Sequence, residues 1–252
     1  MLELEPIGIF HCKEKYPYDV PRQGVLAGAN RGEIELFPGR NLEQALLGLE
    51  GFSRIWVLFH FSQAEGWRPM VLPPRHTEHK QGVFATRSPY RPNHIGMSCV
   101  KLLGIEGLRI IVEGHDLLEG TPVLDIKPYL PYADAFPDAK AGWTEQTEAK
   151  YAVSFSENAA AQLDWLENNG VPCIKAFILD RLENEPLNPR RNRMCGDLLA
   201  YRTWRVRFDV TEGRVLVQEI LSGYTQEELQ DTADKYGDKQ VHRTFLEKQW
   251  HL

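Results

Sequence analysis

A succession of short β-type runs fills the first half of the chain, and it restricts the fold more than any other feature of the sequence. "PIGIF", "GEIELF", "RIWVLFHF", "GVFAT", "SCVKLLGI", "LRIIVEG" and "VLDIKPYL" are rich in Ile, Val, Phe and Trp, and Gly, Pro or Asn separates most of them. One helical pattern interrupts them, "NLEQALLGLEGF". There Leu42, Ala45, Leu46 and Leu49 share a face by i, i+3, i+4, i+7 spacing, and Asn41 is placed to cap. Many short strands with few helices predict a small barrel or a sandwich rather than a doubly wound sheet. No apolar strand leads into a Gly-x-Gly-x-x-Gly turn, so a dinucleotide-type fold is not expected.

The character changes after residue 136, where "FPDAKAGWTEQTEAK" is polar enough for a linker. Beyond it "YAVSFS" reads as a strand and "SENAAAQLDWLENNG" as a helix, with Ser156 as cap and Gly170 as stop. "CIKAFILDRLEN" continues as an apolar helix, and "YRTWRVRFDVTEGRVLVQEIL" alternates like a hairpin turning at Glu212 and Gly213. The expectation is a mainly β chain with an α+β part: a β domain over 1–140, a smaller α+β domain over 150–235, and a tail over 236–252. The tail suits a terminal helix, a docking segment or a disordered end equally.

With 29 Lys and Arg against 35 Asp and Glu, the net charge of −6 excludes whole-molecule electrostatic binding to nucleic acid, though not a local basic face. Cys12, Cys99, Cys173 and Cys195 form no Cys-x-x-Cys pair, so reduced thiols are expected rather than a zinc knuckle or redox motif. "HTEH" places His76 and His79 three apart without a third ligand, and no metal is expected. No Gly-x-Ser-x-Gly elbow presents a nucleophile. The N-terminus lacks a basic region followed by an apolar one, and no uninterrupted apolar run is of membrane-spanning length. A soluble cytoplasmic protein is expected.

Four stretches carry candidate chemistry. "ATRSPYRPNHIGMS", residues 85–98, gathers Arg87, Ser88, Arg91, Asn93 and His94 around two X-Pro bonds, which bias Ser88 and Arg91 towards extended geometry. It is either a stiff turn with solvated arginines or a loop offering a planar guanidinium to a carboxylate or phosphate. "VPRQGV", residues 20–25, repeats the theme with Arg22 and Gln23. "HDLLEGTPVLDIKPYLPY", residues 115–132, sets Asp116, Glu119, Asp125 and Lys127 beside β-type sequence, where a ligand site and an edge ion pair are both open. From Arg190 to Arg207 six arginines (190, 191, 193, 202, 205 and 207) face one acid, Asp197, with Tyr201, Trp204 and Phe208 interleaved. Alternation splits Arg202, Trp204 and Val206 from Arg205 and Arg207, so a solubilising face competes with RNA contact through phosphates and base stacking.

Taken in order, "PIGIF", "VPRQGV", "LEGFSRIWVLFHF", "GWRPMVLPPR", "GVFATRSPYRPNHIGMS" and "LLEGTPVLDIKPYLPYADAF" resemble the TsaA-like, TrmO-type tRNA adenosine N6-methyltransferases over residues 5–137. The match is looser after residue 150, where "LNPRR" puts Asn188 in place of the family's usual aspartate. The resemblance implies a small non-Rossmann β-barrel binding S-adenosylmethionine, a site completed across a homodimer, and methyl transfer to N6 of threonylcarbamoyladenosine beside the anticodon of tRNA. It also implies cofactor-binding roles for Gln23, Ser62, Gln63, Arg87, Met97, Asp116, Leu117, Leu118 and Glu119. Asp125, with Asp116 second, is the expected proton acceptor, Arg87 the expected orienting group, and Arg91, Arg190, Arg191 and Arg193 the expected tRNA contacts. The rivals are a non-catalytic cofactor- or RNA-binding barrel and a methyltransferase acting on another small substrate.

Overall fold

The computed structural model describes residues 3–17, 20, 30–73, 77, 79–145, 150–171, 173–184, 186–187, 194–195 and 198–250. Two compact units divide the chain, residues 1–146 and 147–252.

Strands β1 (Gly8–His11), β2 (Arg31–Leu36), β3 (Arg54–His60), β6 (Ile95–Glu106), β7 (Arg109–Glu113) and β8 (Thr121–Pro128) form the first unit's main sheet, while β4 (Met70–Val71) and β5 (Gln81–Gly82) make a small ribbon. The six close into a barrel in the order β1-β2-β7-β6-β3-β8, with every pair antiparallel. Closure settles the choice between barrel and sandwich and leaves these six strands without a free edge. Alternation puts Phe10, Ile34, Ile55, Val57, Phe59, Val100, Ile110, Val112 and Val123 in the core, and the end connections add Leu46 and Leu117. A bulge interrupts β8: Leu58 pairs with Asp125 but Phe59 with Val123. The inward set therefore skips from Val123 to Ile126, which turns Asp125 outward.

Two sequence expectations change here. The helix over "NLEQALLGLEGF" is broken into a single turn, α1 (Leu42–Ala45), and a 3₁₀ turn at Leu49–Gly51. Asn41 adopts φ +56° and bonds Gln44 Oε1 at 2.9 Å instead of capping, and Gly48 at φ +84° stops propagation. Leu46 is still buried and Leu42 and Leu49 pack on the core, whereas Ala45 is exposed. "GVFAT" is a 3₁₀ turn at Val83–Ala85 and not a strand, because the β4 partner reaches only Gln81 and Gly82. Another short turn, α2 (Pro131–Asp134), follows the barrel.

The second unit contains β9 (Ala152–Phe155), α3 (Glu157–Asn168), α4 (Ile174–Leu182), β10 (Met194–Cys195), β11 (Leu198–Tyr201), β12 (Trp204–Thr211), β13 (Arg214–Ser222), α5 (Gln226–Gln230) and α6 (Lys239–Glu247). Its sheet runs β10-β11-β12-β13-β9, with β9 parallel to β13 and α3 packed on β13. Ser156 Oγ accepts from the Ala159 N–H at 3.0 Å, and Glu212 and Gly213, at φ +45° and +76°, make the hairpin turn. Within the segment that follows residue 235, α6 buries His242 and Phe245, and His242 stacks on Trp204 with ring centroids 3.6 Å apart. Thr203 Oγ and Ser222 Oγ satisfy both ring nitrogens of His242, at 2.9 and 2.7 Å.

Candidate functional site

Antiparallel order around a barrel sends alternate connections to the same end. The β1–β2, β3–β6 and β7–β8 connections, residues 12–30, 61–94 and 114–120, therefore leave together. That end collects Ser62, Gln63, Arg87, Arg91 and Asp116 to Glu119. Gln23 and the rest of "VPRQGV" after Val20 lie outside the described residues.

The long β3–β6 connection is laced to itself. Phe61 N–H donates to the His94 carbonyl at 2.8 Å, Arg68 N–H to Tyr90 at 3.1 Å, and Val83 N–H to Pro69 at 2.9 Å. Arg68 also lies over the Tyr90 ring at 4.5 Å, and Trp143 Nε1 donates to the Ala85 carbonyl at 2.8 Å. Arg91 Nη1 donates to the carbonyls of Thr86 at 2.7 Å and Val83 at 3.2 Å, bracing the loop from inside. His94 takes φ +48° with its Nε2 2.8 Å from the Gly66 carbonyl, so it joins both halves of the connection. Gly96 is required because a Cβ there would run into the Phe59 and Phe61 rings. Within this braced loop Arg87 is exposed and has no hydrogen-bond or ion-pair partner among the described residues. Ser62 and Gln63 are exposed at the end of β3.

Polar anchors fix the 114–120 connection as well. Ser98 Oγ, on the inner wall, donates to Asp116 Oδ1. Leu117 is 1% exposed and belongs to the core, so only its backbone can reach a ligand, while Leu118 is half-buried. Glu119 accepts from the Cys12 N–H at 2.7 Å and contacts His11 Nδ1 at 2.9 Å. Met97 is half-exposed on the outer wall opposite Leu58, and Asp125 pairs with Leu58 from the other side, so all three occupy one strip across β6, β3 and β8. Asp125 lies on that wall rather than among the end loops, where its carboxylate meets Lys127 Nζ at 2.9 Å.

Residues 9–135 match the tRNA-methyltransferase O N-terminal domain. The tRNA (adenine(37)-N6)-methyltransferase of Escherichia coli K12 is 42% identical over 217 residues, 82% of this chain and 91% of that one. The chain belongs to the tRNA-methyltransferase O family. A probable S-adenosyl-L-methionine-binding protein of Pyrococcus abyssi is 41% identical over 150 residues, 60% of this chain and 80% of its own. A crystal structure of TrmO from Pseudomonas aeruginosa superposes with a TM-score of 0.60 at 36% identity, covering 88% of this chain and 99% of that one.

In the basic window of the second unit, most of the described side chains are engaged within that unit. Tyr201, Trp204 and Phe208 are buried and cannot stack on unpaired bases. Arg205 Nη1 donates to the Arg202 and Trp204 carbonyls, Arg207 pairs with Glu219, and Arg202 lies over the Tyr201 ring at 5.6 Å. Arg190, Arg191, Arg193 and Asn188 lie outside the described residues, as does His76, while His79 is exposed.

Sequence reasoning passed over His11, Cys12, Glu14 and His115. The available signal was topological: "HCKE" begins on the last residue of the first strand, so it must sit at the barrel end that receives 114–120. The hydrogen bond to Glu119 is the main cause that holds His11 above its ordinary value, against burial and with help from Glu35. Burial pushes Glu119 up, but the Cys12 N–H and His11 outweigh it and hold the carboxyl low. A raised histidine stabilises fully below its unfolded value and loses that contribution as pH rises through the folded one; a lowered carboxylate does the reverse. The pair is thus strongest between about pH 4.5 and about pH 6.5. His11→Gln is expected to lower the urea midpoint most near about pH 5.5, with the gap from wild type shrinking by about pH 8. A gap independent of pH would remove the charge contribution.

Proposed function

We propose that this chain uses S-adenosylmethionine to methylate N6 of adenosine 37 in tRNA, and that the substrate base carries the threonylcarbamoyl group. The observation that carries this reading is the identity to the Escherichia coli enzyme, whose 217 aligned residues exceed the 146 of the first unit and so extend into the second.

The donor set suits the cofactor. Arg87, without a partner among the described residues and set on a braced loop, offers a fork for the methionine carboxylate, and Met97 offers apolar surface. Ser62, Gln63, Gln23 and the Asp116, Leu118 and Glu119 backbone or side chains supply hydrogen bonds, with Leu117 contributing main chain alone. When bound, S-adenosylmethionine supplies an electrophilic methyl on a sulfonium. The chain's task is alignment, since attack at about 3 to 3.5 Å needs positioning more than acid catalysis. The substrate nitrogen loses a proton as its new bond to carbon forms. We assign acceptance or steering of that proton to Asp125, with Asp116 as the second choice because Ser98 already engages it.

A homodimer suits the exposed apolar surface of the first unit, including Ile95, Met97 and Leu103 on one strand, with Tyr132 and Phe136 also exposed. No helix among the described residues is long and apolar enough to cross a membrane, and we place the reaction in the cytoplasm with its tRNA substrate.

Arg190, Arg191 and Arg193 are the proposed phosphate contacts, joined by Arg91, whose two internal bonds both use Nη1. Each lost phosphate contact should flatten the salt dependence of binding by about 0.7 to 0.9 in log–log slope. The Arg190→Ala, Arg191→Ala double variant is therefore expected to reduce the slope by roughly 1.4 to 1.8. An unaltered slope would remove both residues from the interface. Methyl incorporation from labelled S-adenosylmethionine into tRNA with and without the threonylcarbamoyl group, read by nucleoside mass spectrometry, tests the whole reading. Cofactor binding without incorporation into either tRNA would make the protein a binding module.

A further inference from the structure

Under the 114–120 connection lies a cluster of side chains that the methyl-transfer reading does not use. Cys12 and Glu14 come from the chain leaving β1, and His115 comes from the connection itself. His115 is 0% exposed and Glu14 6%. The His115 ring packs edge-on against Phe10 with centroids 4.7 Å apart, and its Nδ1 lies 3.2 Å from the Leu117 carbonyl. Because a carbonyl can only accept, Nδ1 carries the proton and Nε2 presents its lone pair.

That lone pair faces Glu14 Oε2 at 3.8 Å, too far for a hydrogen bond. Both atoms are buried and lack a hydrogen-bond partner among the described residues. Cys12 Sγ completes the group, with all three ligand atoms within 4.8 Å of one another. Burial foremost pushes the Cys12 thiol up to about 12 and holds His115 below the ordinary histidine value. Two buried acceptors face each other, an arrangement that a cation between them would satisfy.

We propose that Cys12, Glu14 and His115 bind one divalent transition-metal cation, zinc fitting best, which fastens the 114–120 connection to the end of β1. Zinc bonds to nitrogen, oxygen and sulfur of about 2.0 to 2.3 Å in a tetrahedron put ligand atoms roughly 3.3 to 3.8 Å apart. Nitrogen and oxygen ligands fall at the short end of that range, so Nε2 and Oε2, 3.8 Å apart, close by roughly 0.3 to 0.5 Å on binding, and the sulfur, within 4.8 Å of both, by at most about 1.3 Å. A thiolate, a carboxylate and a neutral imidazole balance a charge of +2, leaving the buried site neutral. On binding, the Cys12 sulfur–hydrogen bond is lost, the sulfur–metal bond forms, and the proton goes to solvent. The Nδ1–carbonyl bond is the second-layer support that metal-binding histidines normally have. Thiolate and imidazole ligands favour zinc over calcium or magnesium. The fourth position is left for water or a nearby carbonyl; those of Glu14 and Leu117 lie 3.5 and 3.6 Å from Sγ.

The test uses the full chain, stripped with a chelator, dialysed and titrated with cobalt(II) as a spectroscopic substitute. The expected result is one cobalt per chain with a near-ultraviolet thiolate-to-cobalt band that zinc abolishes. Cys12→Ser should lose that band, and His115→Ala should weaken binding at least about ten-fold. Glu14→Gln, nearly isosteric, guards against variants that simply unfold: zinc should raise the Tm of the wild type and leave that of Glu14→Gln unchanged. Absence of the band together with no stoichiometric zinc retention would overturn the proposal in favour of a metal-free Glu14–His115 pair. Equal zinc retention by all three variants would overturn it too, because the metal would then sit elsewhere.

Discussion

Arg87→Lys should weaken S-adenosylmethionine binding and slow methyl transfer together, by roughly ten- to hundred-fold, while the Tm stays close to that of the wild type. Lysine keeps the charge but loses the planar fork, so the comparison isolates two-point recognition from simple attraction. Hydrogen bonds to charged groups contribute about 1.5 to 3 kcal/mol, and about 1.4 kcal/mol is one decade in affinity, which sets the expected range. The stability half of the expectation follows from the surroundings. Arg91, His94, Tyr90 and Trp143 brace the loop, whereas Arg87 is exposed and joins none of those bonds. Equilibrium binding and single-turnover rates, measured on the same preparation, give the answer. Survival of both in Arg87→Lys would make the loop a structural turn.

The residues of "ATRSPYRPNHIGMS" show which parts of the site a sequence can disclose. Its prolines, its arginines and its place between two apolar runs mark a stiff loop, but they cannot tell which arginine is used internally. That depends on where the Thr86 and Val83 carbonyls point after the 3₁₀ turn forms, and it makes Arg91 a brace while Arg87 has no partner among the described residues. Strand alternation made most barrel strands legible, since an inward Val, Ile or Phe at every second position is a local signal. The helix at "NLEQALLGLEGF" misled because its apolar spacing reports which side chains face the core, not whether Gly48 lets the backbone stay helical. In the arginine-rich window the interleaved aromatics were legible as alternation, yet all three are buried, Trp204 against α6 and Tyr201 against Phe177 of α4, which removes them from any RNA surface. Cys12, Glu14 and His115 escaped motif spacing altogether, because only barrel closure brings the two ends of that set together.

Asp125→Asn is expected to lower the single-turnover methylation rate by about 10² to 10⁴, the usual range for a positioned proton acceptor, with cofactor affinity changed less than about two-fold. The argument starts from the β8 bulge. Strict alternation from Val123 through residue 124 would aim Asp125 into the apolar core; the bulge between Val123 and Asp125 resets the alternation, and the carboxylate stands on the outer wall. Leu58 separates it from Met97 across one strand, so two strand spacings of about 4.8 Å put the pair roughly 10 Å apart on the same face. That distance accommodates a cofactor methyl and a substrate base between the apolar surface and the acid. Asparagine preserves the shape and can still accept from the Ile126 N–H, as Asp125 Oδ1 does at 2.9 Å, so the backbone around the bulge has no reason to move. Lys127, 62% exposed, loses its partner at little cost in water. Asp116→Asn is the discriminating companion: because Asp116 accepts from Ser98 and so ties the 114–120 connection to the wall, its replacement should disturb cofactor affinity first. An unchanged rate in Asp125→Asn alongside a rate loss at full affinity in Asp116→Asn would move the proton to Asp116.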